Sequence, residues 1–178
     1  FSPSSVSPAQ IRMGDWLLID LWARLPGDAN VYADITWVAC AGEPSVQQQQ
    51  VFDIVRRARD LVNEEMQRAW QATEPVAGWQ LDRLARDHID GAGYGDAFVH
   101  RTGHSLSPGP AIHGMGVNLD DLETHDTRQL LPHTGFTIEP GIYLPGDFGV
   151  RLEVDVYVDP EHGPQVTTPI QDEIVRLA

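Results

Sequence analysis

The sequence predicts an α+β domain in which a pair of strands precedes two helices and several further strands. Apolar residues dominate residues 16–22 and 32–38, which predicts the first two strands. The Pro-Gly-Asp segment at residues 26–28 is typical of a turn, so we expect these strands to pair antiparallel. With 178 residues, the chain is long enough for one domain with a substantial core.

Two stretches in the middle of the chain predict amphipathic helices. From Val46 onward, apolar residues recur at three- and four-residue steps: Val51, Val55, Ala58, Val62, Met66 and Ala69. A second, shorter stripe contains Leu81, Leu84, Ala85, His88 and Ile89, and a Gly-Ala-Gly segment at residues 91–93 ends it. Strands are predicted again at residues 97–100, 135–139, 150–158 and 165–168. The Gly- and Pro-rich residues 103–132 predict a long loop that serves a site.

Composition narrows the classes of partner and location. The net charge of −14 repels phosphate backbones, which argues against nucleic acid and favours a neutral or cationic small substrate. All twelve basic residues are arginine, so these residues supply neither a P-loop lysine nor a Schiff-base lysine. Cys40 is the single cysteine, and no apolar run approaches the ~20 residues of a membrane span. With no recognisable signal peptide, these features predict a cytoplasmic protein without a membrane partner.

Isolated acids on strand-like segments are the first candidates for chemistry. Strand alternation places Asp20 on one face with Leu18 and Trp22, and Asp34 on one face with its second neighbours along the strand. In the later strand, the polar residues share the face opposite the apolar ones: Arg151, Glu153 and Asp155. A buried carboxylate needs a partner, and a metal ion is a strong one. Each acid taken alone is equally compatible with a solvated strand face.

Two histidines and a further glutamate extend this set. His100 and His104 are four residues apart, so an extended chain points both to one face. Glu139 precedes Pro140, which predicts that it lies at the end of its strand. Four carboxylates with one imidazole suit two divalent ions, and metal-assisted hydrolysis follows from such a set. The remaining histidines, apart from His113, are predicted to be structural or solvated: His88, His125, His133 and His162.

Five segments in this order resemble the pita-bread metallopeptidases, the family of methionine aminopeptidases, Xaa-Pro aminopeptidases and prolidases. They are Leu-Ile-Asp at 18–20, Tyr-Ala-Asp-Ile-Thr at 32–36, His-Arg-Thr-Gly-His at 100–104, and the segments around Glu139 and Glu153. The resemblance covers about residues 14–168 and implies a pita-bread fold. It also implies that residues 1–178 are the C-terminal part of one catalytic domain. In the family, a further segment precedes the position of Phe1, so we expect the N-terminal portion to be missing here.

The resemblance implies a metal-ligand set. Asp20 would bind one ion, His104 and Glu139 would bind the other, and Asp34 and Glu153 would bridge the two. Ions roughly 3.5–4 Å apart would hold a hydroxide between them and polarise the scissile carbonyl. Manganese is the first choice for this oxygen-rich set, with cobalt, zinc and iron as alternatives.

The resemblance also assigns roles around the pocket. Glu139 would carry a proton from the nucleophile to the leaving amine, and His100 and His113 would contact substrate and stabilise the tetrahedral intermediate. Tyr143 and Arg151 match pocket positions of the Xaa-Pro branch, and Gly-Val-Arg-x-Glu at residues 149–153 favours that branch over methionine aminopeptidases. A small peptide is therefore the expected substrate. A second copy of the chain and the missing N-terminal portion are the expected protein partners.

The sequence departs from the family pattern at several positions. Trp37 stands where arginine is common, Ser105 and Ser107 replace glycines, and His113 lies further from His104 than is usual. These departures leave alternatives open. Instead of a metallopeptidase, the chain could be a non-catalytic pita-bread binding module or a truncated, inactive fragment of a peptidase. Creatinase-like chemistry is disfavoured because those relatives lack the metal ligands, and a plain α+β domain with only surface acids is disfavoured by the ordered set.

Overall fold

The computed structural model describes residues 10–178, so the expectation about the segment that precedes Phe1 lies outside the described residues. The described chain runs through the following elements: β1 Trp16–Ala23, β2 Ala33–Ala41, α1 Val46–Ala72, α2 Gly78–Gly91, a 3-10 turn Gly95–Ala97, β3 Ser105–Leu106, β4 Gly135–Ile138, β5 Gly141–Tyr143, β6 Gly149–Arg151, β7 Val154–Asp159, β8 Gly163–Val166 and β9 Val175–Leu177. The predicted order of strand pair, helix pair and later strands is confirmed.

The first two strands form the predicted antiparallel hairpin. Asp20 lies opposite Thr36, and Trp22 lies opposite Asp34. Directly opposed residues of an antiparallel pair point to the same face, so these four side chains share one surface of the hairpin. β9 adds to the other edge of β2 in parallel orientation.

A second sheet completes the framework of the site. Its strand order is β3-β4-β7-β8, and all its pairs are antiparallel. β5 and β6 form a separate hairpin. The two sheets join at the level of the predicted ligands, because the Glu153 amide donates to the Thr36 carbonyl and the Asp34 amide donates to the Asp155 carboxylate.

Helix α1 covers the core side of the strands. The Ser45 hydroxyl accepts from the Gln48 amide while the Gln48 side chain accepts from the Ser45 amide, so a capping box starts α1. The predicted stripe of α1 is buried along its whole length. α1 packs against α2 and against the strands of the second sheet and the β5–β6 hairpin. Among the described residues, no helix combines the length and apolar character that a membrane crossing requires.

Two strand predictions are wrong. Residues 97–100 are irregular, because the Arg86 guanidinium of α2 donates to the carbonyls of Phe98 and His100, which a neighbouring strand would otherwise pair. The segment 150–158 is two strands, since the chain breaks at Leu152 and Glu153, between β6 and β7. Three short strands were not predicted: β3, β5 and β9.

Candidate metal centre

Three buried side chains from separate parts of the chain meet where the two sheets join. Asp34 lies on β2, His104 directly precedes β3, and Glu153 lies in the break between β6 and β7. Each offers one ligand atom, and these atoms all lie within 4.8 Å of one another. This group, the Asp34–His104–Glu153 triad, is the only one of its kind found among residues 10–178.

The hydrogen bonds of His104 orient its ring toward the acids. Its Nδ1 lies 3.2 Å from the Ser105 carbonyl oxygen, which can only accept, so Nδ1 carries a proton. Its Nε2 then faces the acids, 3.4 Å from Asp34 Oδ2 and 3.6 Å from Glu139 Oε1. Burial by itself would lower the pKa of His104, but the hydrogen bond to Asp34 and the charge of Glu139 raise it overall. A ring fixed in this way through Nδ1 is the usual arrangement of a metal-binding histidine.

The backbone around His104 fits closely against β4. A Cβ on Gly103 would lie 2.0 Å from the Thr137 carbonyl oxygen, so only glycine allows this approach. The Thr137 hydroxyl accepts from the His104 amide and donates to Glu139 Oε1 at 3.1 Å. One threonine thus fixes both His104 and Glu139.

Glu139 lies beside the triad, at the end of β4 as predicted. Its side chain is 13% exposed, and burial raises its pKa. It completes a set of four predicted ligands that surround one space: Asp34, His104, Glu139 and Glu153.

Asp20 lies on the same cavity but outside the triad. It is 46% exposed, and its carboxylate contacts the Arg151 guanidinium. Arg151 also donates from Nε to the Thr36 hydroxyl at 2.9 Å and from Nη1 to the Tyr143 hydroxyl at 3.4 Å. Its Nε lies 3.9 Å from Glu139 Oε2, so one guanidinium faces acids of both predicted metal positions.

The electrostatics of the carboxylates fit a divalent cation. Burial, together with the charges of Glu139 and Asp34, raises the pKa of Glu153 to about 9. Burial likewise raises the pKa of Asp155, whose Oδ2 accepts from the Asp34 amide, to about 7. Carboxylates this crowded and buried repel one another until a positive charge is placed among them. Oxygen donors with a single imidazole suit divalent ions, so the residues present fit a divalent metal.

His100 and Tyr143 form a neutral pair in the wall of the same cavity. Burial lowers the pKa of His100 to about 4, so its ring is neutral near pH 7. Its Nδ1 donates to the Arg101 carbonyl at 2.8 Å, which leaves Nε2 to accept from the Tyr143 hydroxyl at 2.7 Å. His113, the other predicted catalytic histidine, is exposed, and its ring centre lies 4.0 Å from that of His104. Burial and the charge of His104 lower the pKa of His113.

Several residues that shape the site were not singled out from the sequence. Strand alternation places Thr36 on one face with Asp34, but no role was assigned to it. Thr137 sits two residues before Glu139, where the same period-two argument applies. Asp82 on α2 carried no signal, because its contacts with Thr102 join segments that are distant in the chain.

The triad lies in a cavity of about 840 Å³. All predicted site residues border this cavity: Asp20, Asp34, His100, His104, His113, Glu139, Tyr143, Arg151 and Glu153. Its other walls are largely apolar and include Trp22, Val99, Ile112, Leu144 and Pro145. The cavity is large enough for a short peptide.

Comparison with known proteins identifies the family. The model of metallopeptidase family M24 matches residues 2–160 of this chain. The chain belongs to metallopeptidase family M24. An Xaa-Pro dipeptidase of Pyrococcus furiosus is 33% identical over 174 residues, which are 95% of this chain and 44% of that protein. An uncharacterized peptidase of Bacillus subtilis is 33% identical over 168 residues, covering 94% of this chain and 43% of its own length.

Solved structures of peptidases show the same fold. A dipeptidase of Pyrococcus horikoshii superposes with a TM-score of 0.80 at 32% identity, over 96% of this chain and 44% of that chain. An X-Pro aminopeptidase of Thermotoga maritima gives a TM-score of 0.73 at 32% identity, over 94% of this chain and 43% of that one. The predicted α+β pita-bread fold and the Xaa-Pro branch of the family are confirmed. The M24 chain described here spans less than half the length of these relatives.

Proposed function

We propose that this M24 chain supplies a two-metal centre that hydrolyses Xaa-Pro peptide bonds, in dipeptides or at the N-terminus of longer peptides. The buried Asp34–His104–Glu153 triad is the observation that carries the proposal. The Xaa-Pro dipeptidase and X-Pro aminopeptidase named among its relatives support the choice of substrate. The Gly-Val-Arg-x-Glu segment at residues 149–153 supports the same branch.

The ligands divide between the two ions in this proposal. His104 and Glu139 would hold one ion, Asp20 would hold the other, and Asp34 and Glu153 would contribute to both. For Asp20 to act as a ligand, the Arg151 guanidinium must release it and keep its contacts with Thr36 and Tyr143. Manganese is proposed as the native metal because most of the donors are carboxylate oxygens.

Side chains around the ions position the substrate and move its proton. When bound, the ions supply an activated water and polarise the scissile carbonyl. The Glu139 carboxylate, which accepts from the Thr137 hydroxyl, would take a proton from the nucleophile and pass it to the leaving amine. The Tyr143 hydroxyl and the rings of His100 and His113 face the cavity, where they orient the peptide. Arg151 holds Tyr143 in place.

The test is an assay of the purified chain with manganese on Xaa-Pro dipeptides and on longer peptides that begin with Xaa-Pro. We expect metal-dependent release of the residue before proline, with two ions per chain by mass spectrometry. Glu153→Gln should abolish both metal binding and cleavage, whereas Glu161→Gln, at an exposed turn, should change neither. Two bound ions without cleavage of any Xaa-Pro peptide, by the chain alone and by the chain joined to the relatives' additional segments, would disprove the proposed reaction.

A non-catalytic binding module is the second candidate, and the contact between Arg151 and Asp20 favours it. A guanidinium that permanently occupies Asp20 would leave one ion without its ligand. Metal content separates the two candidates, since a module needs no pair of ions. A third possibility is an inactive fragment, since the chain spans 44% of the length of these two relatives. Such a fragment would bind the ions but would cleave peptides only after the relatives' additional segments are supplied. The single domain over residues 1–178, the cytoplasmic location and the homodimer stay predictions.

A further inference from the structure

Trp22 presents its indole to the cavity directly beside the triad. It lies opposite Asp34 in the β1–β2 hairpin and on the same face as Asp20. The side chain lines the cavity and is 51% exposed. A half-exposed indole beside carboxylates is a candidate binding surface, because an apolar group packed against it would remove apolar area from water.

The indole is held by a chain of contacts at the end of the hairpin. Its ring meets Tyr32 edge-on, with the ring centres 5.5 Å apart. The Arg24 guanidinium lies 4.9 Å from the centre of the Tyr32 ring and donates to the Gly109 carbonyl. Gly109 belongs to the loop that brings Ile112 to the cavity, so the hairpin and this loop form one connected wall.

The position of the indole relative to the ligands limits what it can contact. A scissile bond that is to be hydrolysed must lie at the Asp34–His104–Glu153 triad. A side chain adjacent to that bond then comes within reach of Trp22, since Trp22 and Asp34 are direct cross-strand neighbours. Proline is constant in the proposed substrates. The residues that line the cavity can therefore discriminate between substrates only through the side chain of the residue before proline.

We propose that Trp22 is a specificity-determining residue that receives an apolar or aromatic side chain of the residue before proline. The inference rests on the proposed function and names its substrate class: Xaa-Pro peptides in which Xaa is phenylalanine, leucine or a similar residue. Ile112 and Val99 extend the apolar surface around the indole. An acidic Xaa is disfavoured because this apolar surface offers its carboxylate no hydrogen-bond partner.

The experiment compares Phe-Pro, Leu-Pro, Gly-Pro and Asp-Pro as substrates of the manganese-loaded chain. We expect Phe-Pro and Leu-Pro to be favoured in kcat/KM, and Trp22→Ala to reduce that preference over Gly-Pro about tenfold. Trp22→Phe should retain most of it. Leu21→Ala is the matched control. Leu21 directly precedes Trp22 in β1, is 55% exposed and points to the opposite face of the hairpin.

A binding measurement keeps the inference independent of cleavage. Isothermal titration of the same variants with Phe-Pro and Gly-Pro should give tighter binding of Phe-Pro, and Trp22→Ala should remove the difference. If no peptide is cleaved but this difference is found, the proposed reaction fails and the subsite stands. Equal losses for all four peptides, an unchanged preference in Trp22→Ala, or no difference in binding by the unmodified chain would each overturn the role of Trp22.

Discussion

The hydroxyl of Thr36 joins two parts of the candidate metal centre at the scale of a single residue. Thr36 is fully buried, donates to Glu153 Oε2 at 2.6 Å and accepts from Arg151 Nε at 2.9 Å. A carboxylate that is fixed by such a bond is already oriented when an ion arrives. Thr36 therefore links the orientation of a proposed bridging ligand to that of a pocket arginine.

Replacing Thr36 with valine tests this link. The side chain keeps its shape but loses the hydroxyl, so Glu153 and Arg151 each lose a buried partner. We expect manganese affinity to fall by roughly 10–100-fold and the free energy of unfolding to fall by about 1–3 kcal/mol. Metal titration and urea unfolding measure the two effects. Thr36→Ser should preserve affinity, and exposed Thr127→Val serves as the control; an unchanged affinity in Thr36→Val would contradict the link.

Helix α2 determines the position of the histidine segment at the scale of an element. Asp82 of α2 is fully buried and accepts from the amide and the hydroxyl of Thr102, at 2.8 and 2.6 Å. It also accepts from Arg86 Nε at 2.6 Å, and Arg86 in turn donates to the carbonyl of His100. Two residues one turn apart on the helix thus hold the backbone on both sides of Arg101.

Asp82→Asn is expected to loosen this attachment. Asparagine keeps one side-chain oxygen for Thr102, and its amide nitrogen then takes the place of Oδ2. Arg86 Nε and the Asp121 amide, which both donate to Oδ2, would lose their acceptor. Breaking a buried ion pair in this way should lower the free energy of unfolding by ~3 kcal/mol. Urea unfolding measures the loss, with Asp87→Asn, exposed on the same helix, as the control. Equal stability of the two variants would contradict the role of Asp82.

Elements with a buried face could be predicted from the sequence, whereas elements determined by contacts with other segments could not. The period-two and period-3.6 patterns identified the β1–β2 hairpin and both helices, because burial of one face is a local property of the chain. The irregular residues 97–100 were mistaken for a strand because Arg86, distant in sequence, takes their carbonyls. The break at Leu152 and Glu153 was also missed, since the alternation of apolar and polar residues continues through it.

At the scale of the whole molecule, the order of motifs predicted the family and the fold, but the local patterns could not predict how the acids are paired. Asp20 and Arg151 are 131 residues apart, and their contact depends on the approach of the β5–β6 hairpin to β1. The resemblance treated Asp20 and Asp34 alike as ligands. The structure separates them, with Asp34 in the buried triad and Asp20 at the exposed side of the cavity.

The balance of charge over the whole site predicts how the stability of the chain depends on metal and pH. Without metal, the pKa of Glu153 is about 9 in the folded chain, well above the 4.5 that is usual for a glutamate side chain. The folded chain therefore binds more protons than the unfolded chain between these values, and its stability falls as pH rises through about 9. Asp155, with a pKa of about 7, acts in the same direction at lower pH.

Manganese should remove this dependence, because a bound cation favours the ionised carboxylates. At a hundredfold excess over its dissociation constant, it should add about 2.7 kcal/mol, which corresponds to a rise of roughly 5–10 °C in Tm. Calorimetry in EDTA and in manganese at pH 7 and pH 8.5 measures the effect, which should be larger at the higher pH. Glu153→Gln should lose both the metal effect and most of the slope between these pH values, whereas Glu161→Gln should retain them. A Tm that manganese leaves unchanged at both pH values would show that these carboxylates do not share a cation.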